Sequence, residues 1–186
     1  MLILASQSPR RQMLLKEIYP MAFKIIPAKI DERSIHSDSF YHLPQAISQA
    51  KAQYVSERYP SDYVLAADTI VVCNQKVYGK PKNVAEAISM LTELTQNEHM
   101  VITGYHIYLN GKDLISSSEV TTLTLAKMTP AQIKAYIDTK SPFDKAGGYG
   151  IQDKAIDYVI KSGSYENVLG FPIVKIKNDL IKLGII

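Results

Sequence analysis

The residues most able to do chemistry are Asp68, set in the apolar run 63–73, and Arg10 and Arg11, set behind Ser6 and Ser8. A carboxylate among Val, Leu, Ala and Ile costs several kcal/mol to desolvate unless it is paired, protonated or bound to a metal. Asp68 has two readings. It is a strand carboxylate satisfied by backbone N–H groups, or it helps hold a divalent cation or acts as the base that activates a water. Arg10 and Arg11 fall in the first turn of a helix, where each opposes the helix dipole by about 0.3–1 kcal/mol. An anion reverses that sign, and free N–H groups, serine hydroxyls and guanidinium forks together make a phosphate cradle. The plainer alternative is that both arginines point into solvent.

Further candidates are scattered along the chain. Asp31 and Glu32 offer carboxylates in a polar loop over 31–40, and Mg²⁺ commonly takes one or two carboxylates plus substrate phosphates. Lys51, on a helix, and Lys80, on the constrained turn Gly79-Lys80-Pro81, are candidate phosphate clamps, although lysines are also common solvated residues. The glycines at 79, 147, 148 and 150 form neither a Walker P-loop nor a Gly-x-Gly-x-x-Gly turn. His36, His42, His99 and His106 lack metal-ligand spacing and read as structural.

The elements that must position these residues follow from periodicity and punctuation. The run 2–4 is a strand, Ser8 and Pro9 open a helix, and 23–26 is a short strand. A helix over 44–58 carries Lys51 near its apolar stripe of Ala46, Ile47, Ala50 and Val55. The run 63–73 is a buried strand, 83–94 a helix with Asn83 and Glu86 as a capping box, and Asn110-Gly111 a hairpin turn between strands over 101–109 and 114–125. A helix over 129–139, a Gly-rich loop over 144–152, a strand over 158–160 and a C-terminal helix from 172 complete the chain. Interleaved strands and helices with one antiparallel hairpin predict an α/β fold on a mixed sheet.

Composition narrows the classes. The chain has 186 residues, 46% hydrophobic and 21% charged, with a net charge of +3, which fits one domain in one or two lobes. That charge is too small and too scattered for nucleic acid as the main partner. Cys73 is the only cysteine, so no disulfide framework or Cys-rich metal site exists, and its apolar surroundings predict a buried, inert thiol. No signal-like segment or 18-residue apolar run occurs, so the expectation is a cytoplasmic protein without a membrane partner.

The segments Ser6-x-Ser8-x-Arg10-Arg11, Ala50-Lys51-Ala52, Ala67-Asp68-Thr69, Gly79-Lys80-Pro81, the run from Asp144 to Gln152, and Leu169-Gly170-Phe171-Pro172 closely resemble, in order, the motifs of the Maf family of nucleoside triphosphate pyrophosphatases. This resemblance implies a single domain over 1–186 with the fold of the inosine triphosphate pyrophosphatases, a long mixed sheet in two lobes around a cleft. It also implies a homodimer that cuts a nucleoside triphosphate between its α and β phosphates with Mg²⁺ or Mn²⁺. By the same resemblance Asp68 matches the general base, Ser6, Arg10, Arg11, Lys51 and Lys80 the phosphate-contacting set, and Glu32 an acidic position implicated in metal binding, beside Asp68, whose own setting already suggests a metal ligand.

The run Lys-Ala-Gly-Gly-Tyr-Gly-Ile-Gln resembles the branch acting on dTTP and UTP rather than the branch acting on 7-methyl-GTP. In that branch Arg10, Thr69 and Gln152 match specificity positions. The Gln152 amide can meet the O4 and N3–H edge of uracil or thymine, and flipped it serves cytosine. Thr103-Gly104-Tyr105 departs from the family's usual pattern, which bears on shape more than on chemistry. A nucleotidyltransferase and a non-enzymatic regulator of septum formation are the rival readings.

Overall fold

The computed structural model describes all 186 residues, Met1–Ile186. Its elements are β1 (Leu2–Leu4), α1 (Pro9–Ile18), β2 (Phe23–Ile25), α2 (Leu43–Ser56), β3 (Tyr63–Cys73), β4 (Lys76–Tyr78), α3 (Val84–Leu94), β5 (His99–Leu109), β6 (Lys112–Leu125), α4 (Pro130–Asp138), β7 (Tyr158–Ser162), α5 (Tyr165–Val168) and α6 (Ile173–Lys182). The strands form one seven-stranded mixed sheet in the order β2-β1-β3-β5-β6-β7, with β4 paired to β3. β1 pairs parallel with both β2 and β3, whereas β4 runs antiparallel to β3 and β7 antiparallel to β6.

The chain divides into two compact units. The first comprises 1–68, 103–119 and 170–186, and the second 69–102 and 120–169. In the first, β1 is wholly buried, as expected of a strand flanked by parallel neighbours. Ile3, Ala5, Ala52, Val55, Val64, Ala66 and Tyr108 form one core cluster there. Ile47, Lys51 and Val55 recur at four-residue spacing and share the buried face of α2. Helix α2 lies so close to β5 that a Cβ on Gly104 would sit 2.5 Å from the backbone nitrogen of Gln45. The Thr-Gly-Tyr departure is therefore a close-packing site.

In the second unit α3 packs on α4 and on the Gly-rich segment. Thr129 and Gln132 close a full capping box on α4. The box expected at α3 is only half formed. Asn83 accepts from the Glu86 N–H at 2.9 Å, but the Glu86 carboxylate turns to the Lys82 N–H at 2.8 Å. Helix α5 is an addition to the sequence reading, as four residues are too few to show a period. Cys73 is buried beside the Glu98 carbonyl, and burial pushes its thiol pKa up.

Candidate active site

In the first unit the apolar strand β1 ends in a polar turn at α1. Ser8 is the N-cap of α1, its hydroxyl accepting from the Arg11 N–H at 3.5 Å, and Pro9 fills the first helical position. The Ser6 hydroxyl accepts from the Ser8 N–H at 3.2 Å and from Arg11 Nη1 at 3.3 Å. Arg11 does not point into solvent. Its Nη1 donates to the Ala67 carbonyl at 2.8 Å and its Nε to the Gly170 carbonyl at 2.8 Å. One guanidinium thus braces α1 against β3 and against the turn before α6. Burial pushes the Arg11 pKa down while Asp68 opposes that shift, and a guanidinium stays charged at neutral pH regardless.

Asp68 follows Ala67 on β3, and its side chain is 12% exposed. Its Oδ1 accepts from Lys51 Nζ at 2.7 Å, so the charge within the strand is satisfied by a side chain reaching across from α2. Lys51 is itself only 10% exposed and makes a second ion pair at 2.9 Å with Glu32 Oε1. Glu32 reaches it from a short 3-10 turn over Glu32–Ser34, capped by Asp31, whose carboxylate accepts from the Arg33 N–H at 3.1 Å. The two acids of this loop are therefore divided, with Asp31 holding the turn and Glu32 facing Lys51. For Asp68, burial raises the pKa, Lys51 and Arg11 pull it down, and Glu32 adds to the rise. The net direction is upward, which makes the carboxylate a stronger base than an exposed aspartate.

The structure thus gathers Ser6, Arg11, Glu32, Lys51 and Asp68 in one network within the first unit. Arg10 lies beside them in sequence, in the first turn of α1, half-buried. Thr69, Lys80 and Gln152 belong to the second unit. Thr69 is the next residue after Asp68 on β3, and Lys80 and Gln152 are exposed.

Within the second unit the Gly79-Lys80-Pro81 turn and the Gly-rich loop are joined. The Gly147 N–H donates to the Gly79 carbonyl at 3.0 Å. Gly147 and Gly148 both have φ +71°, a left-handed backbone that favours glycine, and a Cβ on Gly147 would come within 3.1 Å of Leu94 and Val71. Tyr149 is buried, and its hydroxyl bonds His99 Nε2 at 2.8 Å. His99 and His106 are thus structural, the latter bonded through Nδ1 to the Ser48 hydroxyl at 2.9 Å. No group of three or more His, Cys, Asp or Glu side chains is placed to hold a metal by itself.

Fold and site define a mixed α/β protein in which cations and carboxylates converge on a buried strand aspartate. The same fold is present in a HAM1 protein from Coxiella burnetii, with a TM-score of 0.57 over 97% of this chain and 98% of that one, at 15% identity. The chain belongs to the Maf family: the model described as "Maf-like protein" matches residues 1–183, across both units. It is 41% identical to a dTTP/UTP pyrophosphatase of Symbiobacterium thermophilum, over 98% of this chain and 94% of that protein. Proteins of the same name from Carboxydothermus hydrogenoformans and Pyrococcus abyssi are 42% and 43% identical, over 97% and 99% of this chain and 97% and 96% of theirs.

Proposed function

We propose that this chain is a nucleoside triphosphate pyrophosphatase, hydrolysing dTTP and UTP to the monophosphate and pyrophosphate. The near full-length similarity to proteins named dTTP/UTP pyrophosphatase supports the substrates. The observation that carries the chemistry is Asp68, buried and raised in pKa, within 2.7 Å of a buried lysine.

In this reading Asp68 accepts a proton from the water that attacks the α-phosphorus. The bond from that phosphorus to the β-bridging oxygen breaks, and pyrophosphate leaves. Lys51 holds the Asp68 carboxylate in place and, with Arg10, Arg11 and Lys80, offsets charge developing on the leaving group. The Ser6 hydroxyl, an acceptor in both of its bonds here, keeps its proton to donate to a phosphate oxygen. Thr69 and Gln152 contact the pyrimidine.

The donor set fits a hard divalent cation. Asp68 and Glu32 both pair with the single Lys51 ammonium, so their carboxylates converge, and these two oxygen donors would hold Mg²⁺ or Mn²⁺. Bound there, the cation would neutralise charge on the triphosphate. We further place the enzyme in the cytoplasm as a homodimer, with neither nucleic acid nor membrane as a partner. No helix is long and apolar enough to cross a membrane, and sedimentation tests the dimer.

The reading is tested by incubating the chain with Mg²⁺ or Mn²⁺ and dTTP, UTP, CTP, 7-methyl-GTP and ITP, and separating the products. Monophosphate and pyrophosphate from dTTP and UTP are expected. Diphosphate and phosphate, or turnover confined to 7-methyl-GTP, would overturn it.

A further inference from the structure

The residue proposed to meet the base, Gln152, stands on a turn whose closure is specific. The Asp153 N–H donates to the Gly150 carbonyl at 2.9 Å, which makes Ile151 and Gln152 the two central residues of a four-residue turn. Ile151 is buried at 5% exposure and Gln152 is exposed, so the turn is pinned by one side chain and presents the other.

Both ends of that turn are held by one hydroxyl. Tyr136, on α4, is 2% exposed. Its hydroxyl accepts from the Gly150 N–H at 3.0 Å and donates to Asp153 Oδ2 at 2.5 Å. Asp153 Oδ2 also accepts from the Ser141 hydroxyl at 2.7 Å, with Lys145 Nζ 3.9 Å away. Lys145 in turn donates to the Ser141 carbonyl at 2.7 Å. A Cβ on Gly150 would come within 2.6 Å of Lys145 Cε, so the lysine stem lies against the turn's first residue. The assembly is a satisfied, partly buried polar network, and the Gln152 side chain at its tip is itself hydrogen-bonded to the Tyr165 hydroxyl.

We infer that Tyr136 is a positioning residue for base selection: its hydroxyl bridges Gly150 and Asp153 and thereby fixes the backbone from which Gln152, its amide steadied by Tyr165, is presented to the pyrimidine. This rests on the reading that Gln152 contacts the base. A loosened turn lets the amide swing or flip, and a flipped amide serves cytosine as well as uracil. Tyr136 is therefore expected to act on discrimination between bases and not on the chemical step.

The test is steady-state kinetics with UTP and CTP for the natural chain, Tyr136→Phe, Gln152→Ala and the double variant. Loss of one such hydrogen bond is expected to raise KM for UTP about three- to tenfold with kcat little changed, since base contacts are made alike in ground and transition states. The UTP-to-CTP ratio of kcat/KM should narrow, and Tyr136→Phe should cost nothing further once Gln152 is alanine. An equal fall for both nucleotides, a fall in kcat alone, or additive losses in the double variant would overturn the inference. Should Tyr136→Phe fail to fold, Asp153→Ala removes the other end of the bridge and is read in the same way. A natural chain that turns over neither nucleotide defeats the functional reading and this inference with it. Turnover sensitive to Gln152→Ala but indifferent to Tyr136→Phe defeats this inference alone.

Discussion

At the scale of residues, the account rests on Asp68 and Lys51. Asp68→Asn keeps the shape and the contact to Lys51 while removing the base. Its kcat should fall at least about 100-fold with nucleotide binding retained, as a kcat assay beside calorimetry with a non-hydrolysable UTP analogue would read. Lys51→Met acts differently. Lys51 holds the Asp68 pKa down against burial, so its removal should move the acid limb of the kcat/KM profile to higher pH. It should also destabilise the fold by about 3 kcal/mol, because a buried carboxylate loses its nearest cation. A denaturant titration alongside the pH profile separates the two effects.

The anomaly of Asp68 was legible in the sequence, since a carboxylate in an apolar strand demands a partner. The partner was not, as Lys51 lies on a helix whose approach to β3 is set by the packing of Ile47 and Val55. Arg11 was legible as a charge misplaced against the helix dipole, but its hold on Gly170, at the far end of the chain, leaves no trace in local pattern.

At the scale of elements, the placement of Lys51 depends on how closely α2 approaches β5. Gly104→Ala puts a Cβ about 2.5 Å from the backbone of Gln45, and backbone cannot move aside as a flexible side chain can. The expected cost is about 1–3 kcal/mol in thermal or denaturant unfolding, together with lower turnover, because α2 must shift and carry Lys51 with it. A variant as stable and as active as the natural chain would remove the close approach from the account. Strand and helix limits were largely readable from periodicity and caps. What escaped were features without period: the four residues of α5, the redirected Glu86, and the bridge made by Tyr136, which in sequence looks like any core aromatic on an amphipathic helix.

At the scale of the whole molecule, stability should fall on the acid side of neutrality. Burial depresses the pKa of His106 from 6.5 to about 4, and that of His99 in the same direction. A histidine held neutral in the fold but free to protonate when unfolded contributes stability that is intact above the unfolded pKa. That stability is lost as pH falls through the window between the two values. For His106 the loss falls between pH 6.5 and 4, reduced by the Asp113 carboxylate, whose Oδ2 lies 3.5 Å from Nε2 and favours the protonated ring. Unfolding free energies across that range should show a slope that His106→Gln flattens. The α/β class with a mixed sheet was legible from interleaved elements and the Asn-Gly hairpin. The strand order β2-β1-β3-β5-β6-β7 was not, because pairing between strands distant in sequence is decided by packing.

The measurement that bears most directly on the central claim is hydrolysis of UTP in ¹⁸O-water, with the label located in the products by mass spectrometry. Attack by water on the α-phosphorus, with Asp68 as base, predicts label in uridine monophosphate and none in pyrophosphate, with the labelled monophosphate formed at least about 100-fold more slowly by Asp68→Asn. Label in pyrophosphate, or an undiminished rate of labelled monophosphate formation by that variant, would contradict the account.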